Sequence, residues 1–205
     1  MNPVCLKRAL GIFAWLLGCS AFAAPKPPNI VLFLVDDMGW QDTSVPFHSE
    51  RTPFNDHFRT PNMERLAKQG VKFTQAYAAA VCSPTRTSIM TGQNPIRHQV
   101  TNWTLNKDGE TSGKTTRLQA PVNWKRNGLQ PDAITLPKLL QGAGYYTIHA
   151  GKAHWGAHDT PGSNPKNLGF DANIAGHAAG GPGGWYGKTN FGNNPDGTPK
   201  RPWGI

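Results

Sequence analysis

A continuous apolar run rich in β-branched residues, residues 29–35, constrains the fold of this chain more than any other feature. Such a run is typical of a strand buried on both faces, as the strands of a parallel sheet are. Asp36 and Asp37 follow it directly, so two carboxylates are expected at the carboxyl end of a central strand. Ligand sites in open α/β sheets lie at that edge.

Helix and strand signals alternate along the rest of the chain. Caps, prolines and closing glycines predict three helices, and apolar alternation predicts two further strands. The helices are expected at 61–69, 84–90 and 135–140, with Leu66 and Ala67 on the buried side of the first, and the strands at 71–77 and 145–150. No element is assigned to residues 93–132. The pattern favours an α/β fold with a mainly parallel sheet flanked by helices.

The first residues have the composition of a signal peptide. Lys7 and Arg8 precede an apolar run at 9–18, and Ala21-Phe22-Ala23 supplies small residues for cleavage after Ala23. The run is shorter than the roughly 20 residues that a membrane-spanning helix needs. We therefore expect residues 1–23 to be removed and the protein to be exported, to a periplasm or the extracellular space. An uncleaved anchor and a lipoprotein box at Cys19 are the alternatives.

Cysteine usage makes one residue stand out. The chain has 3 cysteines, and Cys5 and Cys19 both precede the expected cleavage point. Cys82 is then the single cysteine of the mature protein, which predicts intermolecular pairing, a reactive thiol or chemical modification. A buried structural cysteine is the alternative.

Composition excludes some functions and leaves others open. The formal charge is +9, but the basic residues are scattered and no nucleic-acid motif is present, so a nucleic-acid partner is not expected. A basic surface that attracts anionic substrates fits the same charge. Residues 24–205 are expected to form one catalytic region, of which 156–205, with 12 Gly and 6 Pro, is irregular loop. The chain is expected to be the N-terminal part of a longer protein.

The segment Cys82-Ser-Pro84-Thr-Arg86 combines a nucleophile with a helix start. Pro84 as the first helical residue would place Cys82 just before the helix N-terminus, where amides and the dipole favour an anion. Arg86 would reach back toward the Cys82 side chain. Because this setting also activates an ordinary thiolate, a cysteine hydrolase stays open. Lys152 and His154 follow the strand at 145–150 and would point to one side of an extended segment.

Two stretches of this sequence resemble the signatures of the sulfatase family. Residues 80–92, which contain the Cys82 segment, resemble the first signature, and residues 144–156, which contain Gly151-Lys152-Ala153-His154, resemble the second. Asp36-Asp37 and the Thr60-Pro-Asn helix precede them in the family order, and the resemblance covers about residues 28–170. Ala153 departs from the family, which usually has an aromatic residue there, and Glu64 stands where Asp is common.

The resemblance implies an alkaline-phosphatase-like α/β fold and a formylglycine-dependent type I sulfatase of the arylsulfatase kind. A separate maturation enzyme would convert Cys82 to formylglycine, whose hydrate attacks the sulfur of an aryl or carbohydrate sulfate ester. Asp36 and Asp37, with the modified Cys82, would bind Ca²⁺. Arg86 would hold the formylglycine, Lys152 would neutralise sulfate charge, and His154 would move protons.

Residues that the family places further along are not found here. The family adds an Asp with Asn or Gln for calcium, and a second Lys, and no segment after His154 matches them. The resemblance therefore implies a chain that is inactive alone. A phosphonate or phosphate monoester hydrolase of the same superfamily and a non-catalytic remnant are the alternatives.

Overall fold

The computed structural model describes residues 26–110 and 117–179. The chain divides into two compact units, Met1–Val35 and Asp36–Ile205. The predicted signal peptide at 1–23 lies outside the described residues, as does the stretch 180–205 of the predicted loop region. Within the described residues, no helix is long and apolar enough to cross a membrane.

In the first unit, residues 26–35 carry no regular secondary structure, and their apolar side chains are exposed. Val31 is 88% and Phe33 is 84% exposed. The prediction of a buried strand at 29–35 is therefore wrong for this structure. A strand needs neighbouring strands to pair its backbone and cover its faces, and the sequence run does not itself supply them.

The second unit contains four α-helices, three 3₁₀ helices and two strands among its described residues. The α-helices are α1 (Pro61–Gln69), α2 (Cys82–Thr91), α3 (Pro95–His98) and α4 (Leu136–Gly142). The 3₁₀ helices are Pro53–His57, Pro161–Ser163 and Pro165–Leu168, and the strands are β1 (Ile148–Ala150) and β2 (Ala172–Ile174). β2 lies inside the segment that the sequence predicted to be irregular.

Helix α2 begins after an extended residue and ends at the glycine that the sequence predicted as its stop. Val81 is its extended N-cap residue, and Gly92 ends it in the left-handed conformation with φ 66°. The Thr85 hydroxyl donates to the Val81 and Ala79 carbonyls, and it accepts a hydrogen bond from the Ala79 amide. The helix starts two residues before the predicted start, so Cys82 is its first residue and Pro84 its third. Helix α2 packs against α3 and α4.

Strands β1 and β2 pair in parallel, with Ile148 opposite Ala172 and Ala150 opposite Ile174. Parallel neighbours present paired residues on the same face, so His149 and Asn173 share the inner face. Behind it, a core of buried residues consists of Met90, Leu129, Ala153, Trp155 and Leu168, with Ala133 and Phe170 packed against it. The small parallel sheet with flanking helices is part of an α/β fold, as predicted.

Three glycines let backbone segments touch directly near this core. Gly128 and Gly156 form an antiparallel bridge, supported by a hydrogen bond from the Leu129 amide to the Trp155 carbonyl. A Cβ at Gly162 would lie 1.7 Å from the Leu129 carbonyl oxygen, and a Cβ at Gly156 would lie 2.3 Å from the Gly162 carbonyl carbon. Neither position has room for any side chain.

Two other predictions about elements are wrong. Residues 71–77 form no strand, and Val71, Phe73 and Tyr77 are 75–90% exposed. Leu66, expected on the buried side of α1, is 70% exposed, and no residue of that helix is buried. Periodicity marks which side chains share a face, but the cover for that face must come from other parts of a protein.

Candidate active site

Cys82 sits at the first position of α2 and faces an imidazole. Its Sγ lies 3.3 Å from His154 Nδ1, and the side chain is half-buried. The first amides of a ten-residue helix point toward the same end and favour negative charge. The structure thus brings together Cys82 and His154, which lie 72 positions apart in the sequence.

Asp36 is held between two cations. Its Oδ1 accepts a hydrogen bond from Arg86 Nη2 at 3.1 Å, and its Oδ2 accepts one from Lys152 Nζ at 2.5 Å. Arg86 is buried, and its Nη1 also donates to the Lys152 main-chain carbonyl at 2.6 Å. The hydrogen bonds of Arg86 therefore connect α2 to Asp36 and to the segment after β1. The sequence had instead predicted that Arg86 reaches toward the Cys82 side chain.

The segment after β1 departs from the extended conformation that the sequence predicted. Gly151 has φ 97° and His154 has φ 57°, so both residues lie outside the extended region. Such a conformation is costly for a residue with a side chain, and flanking hydrogen bonds must hold it. The Gly151 amide donates to the Ile174 carbonyl, and the His154 amide donates to the His177 carbonyl. Lys152 and His154 nevertheless reach the same cluster.

The charges in the cluster shift two titrations in ways that matter for chemistry. Burial, with the positive charges of Lys152 and Arg86, lowers the pKa of His154 to about 4. The ring is therefore neutral at pH 7, with one N–H and one acceptor nitrogen. Partial burial raises the pKa of Asp36, but the hydrogen bonds from Lys152 and Arg86 outweigh it, and the pKa is lowered. Asp36 is therefore a carboxylate at neutral pH.

The predicted calcium ligands do not make a metal site by themselves. Asp37 has φ 53° and is exposed, while Asp36 already accepts from two cations. No group of three or more His, Cys, Asp or Glu side chains in the described residues could hold a metal ion. Calcium takes about 6–8 oxygen ligands, so the carboxylates of Asp36 and Asp37 do not by themselves fit a bound calcium ion.

Sequence reasoning missed one residue that contacts this cluster. His149, on the buried face of β1, has Nε2 3.3 Å from the Lys152 carbonyl oxygen and Nδ1 3.0 Å from Asn173 Oδ1. Its ring also packs against Trp155 and Phe170. The available signal was the alternation of the strand predicted at 145–150, which puts His149 on the same side as the buried Thr147.

Cys82 and Arg86 on α2, Asp36, and Lys152 and His154 in the segment after β1 therefore form one polar cluster in the described part of an α/β chain. A sequence model described as Sulfatase matches residues 28–197. The chain is 36% identical to the N-acetylgalactosamine-6-sulfatase of Mus musculus over 156 residues, 76% of this chain and 26% of that protein. It is also 36% identical to the steryl-sulfatase of Mus musculus over 137 residues, 65% of this chain and 19% of that protein.

The crystal structure of Ps i-CgsB superposes with a TM-score of 0.50 at 33% identity, covering 70% of this chain and 27% of that one. The chain belongs to the sulfatase family and has part of its α/β, alkaline-phosphatase-like fold. It spans about a quarter of the length of the mouse N-acetylgalactosamine-6-sulfatase.

Proposed function

We propose that this chain is the part of a sulfuric ester hydrolase that carries the nucleophile, formed from Cys82. One observation carries the proposal. In a chain of the sulfatase family, the Cys82 side chain lies at the N-terminus of α2, 3.3 Å from the neutral imidazole of His154. Helix N-terminus, imidazole and cations together suit a nucleophile that attacks an anionic ester.

The surroundings of Cys82 suit the modified residue that the family resemblance implies. The Sγ atom stands in for an oxygen on the same Cβ, and His154 Nδ1 lies within hydrogen-bond reach of it. Formylglycine supplies, as its hydrate, the oxygen nucleophile for attack on sulfur. His154 Nδ1 would exchange a proton with that oxygen. Burial of that ring keeps bulk water from competing for the same nitrogen.

The cations around Cys82 suit a sulfate group. Lys152 and Arg86 together carry two positive charges against the single negative charge of Asp36, so the cluster keeps an excess positive charge. Lys152 has a flexible stem and can turn from Asp36 to a sulfate oxygen. Arg86 is buried and bonded at both terminal nitrogens, so it holds its place. We assign sulfate contact to Lys152 and a supporting role to Arg86.

In this proposal, Asp36 and Asp37 are the two carboxylates that would contribute to a calcium site. Two carboxylates are too few for tight binding, so a calcium site requires further oxygen ligands. We expect the 205-residue chain to have little or no sulfatase activity alone for the same reason. Losing a single preorganised electrostatic group costs about a hundredfold or more in rate.

The relatives suggest the substrate class. One is named for a sulfated amino sugar and another for a steryl sulfate. We propose an aryl or carbohydrate sulfate ester as substrate and a formylglycine-generating maturation enzyme as partner. We also propose export by a signal peptide at residues 1–23, with residues 24–205 as the catalytic part.

The test is to express the chain with a maturation enzyme and examine the peptide that contains Cys82 by mass spectrometry. We expect loss of the thiol and an aldehyde that reacts with hydrazides. Cys82→Ser is the matched control, because a maturation enzyme that requires a thiol should leave it unmodified. An unmodified Cys82 in a competent host would contradict the proposal.

Turnover by the complete protein separates the alternatives. An aryl sulfate should be cleaved and an aryl phosphonate should not, and the reverse result would favour a phosphonate or phosphate monoester hydrolase. The contact between Cys82 and His154 also suits a thiol hydrolase, which predicts that alkylation of Cys82 abolishes activity. Calcium binding without turnover would indicate a non-catalytic remnant.

A further inference from the structure

His98, the last residue of α3, is a buried histidine outside the polar cluster. Its side chain is 2% exposed and lies between α3 and α2. Nδ1 accepts a hydrogen bond from the buried Val100 amide at 3.1 Å, and Nε2 lies 3.0 Å from Ser88 Oγ of α2. The proposed function assigns no role to His98 or Ser88.

The contacts of the ring fix which nitrogen carries the proton. Burial lowers the pKa of His98, so the ring is neutral at pH 7 and has one N–H. A main-chain amide can only donate, so the Val100 amide makes Nδ1 the acceptor and leaves the proton on Nε2. Nε2 therefore donates to the Ser88 hydroxyl. A ring in this state cannot take the proton of Ser88, so the pair does not act as a serine nucleophile with its base.

Ser88 lies on the helix that carries the site. It follows Cys82 by six residues and Arg86 by two, which places its Cα about 9 Å along the axis from that of Cys82. The Ser88 carbonyl also accepts the hydrogen bond from the Gly92 amide that closes α2. Because a helix of ten residues moves as a unit, a shift at Ser88 moves Cys82 relative to His154.

The end of α3 is itself joined to the segment that carries His154. The Gln99 carbonyl accepts a hydrogen bond from the Lys125 amide at 2.8 Å, and the Lys125 carbonyl accepts one from the Gly128 amide at 2.9 Å. Gly128 then forms the antiparallel bridge with Gly156, two residues after His154. The contact of His98 therefore gives α2 a second connection to this segment, besides the direct contacts of the polar cluster.

We propose that His98 is a positioning residue, which donates from Nε2 to Ser88 Oγ and so holds α2 where Cys82 meets His154. The inference rests on the proposed function for the role of Cys82. The hydrogen bond itself is independent of any turnover.

Two substitutions of His98 separate the two nitrogens of its ring. His98→Asn keeps an oxygen at the reach of Nδ1 that can accept from the Val100 amide, and it is too short to contact Ser88. His98→Gln keeps an amide donor at the reach of Nε2. Ser88→Ala removes the other partner, and alanine favours helix more than serine does, so faster exchange in that variant cannot come from helix propensity.

Two measurements on the full chain with unmodified Cys82 report on α2. Hydrogen exchange of the amides at residues 86–92 shows how often the helix opens, and the NMR amide signals of Cys82 and His154 show whether the site moves. One hydrogen bond of ordinary strength corresponds to about a fivefold change in exchange rate. Thr147→Val is the control for general destabilisation, since it removes a buried hydrogen bond to the Gly169 carbonyl, away from α2.

We expect about fivefold faster exchange in α2, with shifted Cys82 and His154 signals, for His98→Asn and Ser88→Ala. His98→Gln should stay close to the wild-type chain, and the double variant of His98→Asn with Ser88→Ala should exchange no faster than His98→Asn alone.

The opposite order of the two His98 variants would show that only the Val100 contact matters, and it would overturn the proposal. Faster exchange spread over all segments, as in Thr147→Val, would do the same. An unchanged rate in Ser88→Ala would overturn it even if neither His98 variant folds. Exchange requires no catalysis, so an inactive chain would count against the proposed function and leave this result standing.

Discussion

Replacing Asp36 by asparagine removes the one carboxylate that lies between Arg86 and Lys152. The Arg86 side chain is 7% exposed and that of Lys152 is 15% exposed, whereas that of Asp36 is 38% exposed. Removing one partner of a fully buried ion pair costs about 3–5 kcal/mol, and exposed pairs contribute about 0–1 kcal/mol. Because solvent reaches Asp36 but not Arg86, we expect a loss of about 2 kcal/mol.

Asp37→Asn is the matched control for this change. It removes the same charge from the next residue, and asparagine tolerates the left-handed conformation at Asp37. Asp37 forms none of the ion pairs among the described residues. Urea unfolding at pH 7 with a calcium chelator should therefore show a lower midpoint for Asp36→Asn and an almost unchanged midpoint for Asp37→Asn.

The difference in stability between the wild-type chain and Asp36→Asn should depend on pH, which gives a second check. The pKa of Asp36 is lower in the folded chain, so its contribution is complete above the ordinary value of 3.8 and is lost as pH falls through the folded value. The wild-type chain and Asp36→Asn should then converge in strong acid. Equal midpoints for the two asparagine variants at pH 7 would refute the view that Asp36 neutralises a buried arginine.

Three further predictions concern His154, calcium and activity. The pKa of His154 falls from 6.5 unfolded to about 4 folded, so stability should decrease by up to about 3 kcal/mol as pH falls from 6.5 to 4. Urea midpoints of His154→Gln should lack that part of the slope, and an identical slope would contradict the assignment. Calorimetry on residues 24–205 should show calcium binding no tighter than the roughly 10⁻⁴ M typical of weak sites. The same chain, expressed with the maturation enzyme, should turn over an aryl sulfate no faster than its Cys82→Ala variant.

The sequence predicted the parts of this structure that depend on neighbours along the chain. Helix α2 was expected from Pro84 and the closing Gly92, and it ends at Gly92 as predicted, although it begins two residues earlier, at Cys82. The strands at 29–35 and 71–77 were expected from apolar runs alone. A strand exists only with a partner, and the runs do not say which partner is available.

The sequence predicted which residues form the polar cluster better than it predicted the contacts between them. The family signatures named Cys82, Arg86, Lys152 and His154, and the structure brings all four to one region. The direction of Arg86 could not be predicted, because its partner Asp36 lies 50 positions away. His149 escaped notice because only the fold shows which buried atoms its two nitrogens face.

The close approach of Gly128, Gly156 and Gly162 has a consequence for how this protein can diverge. In a library of all single substitutions, these positions should reject even alanine, because the main chain of one segment fills the space that a methyl group would occupy on the next. Selection would then preserve glycine at three places because main chain packs against main chain there. An alignment of many related sequences should show these glycines to be as conserved as Cys82. Only the distances between main-chain segments would distinguish conservation for packing from conservation for chemistry.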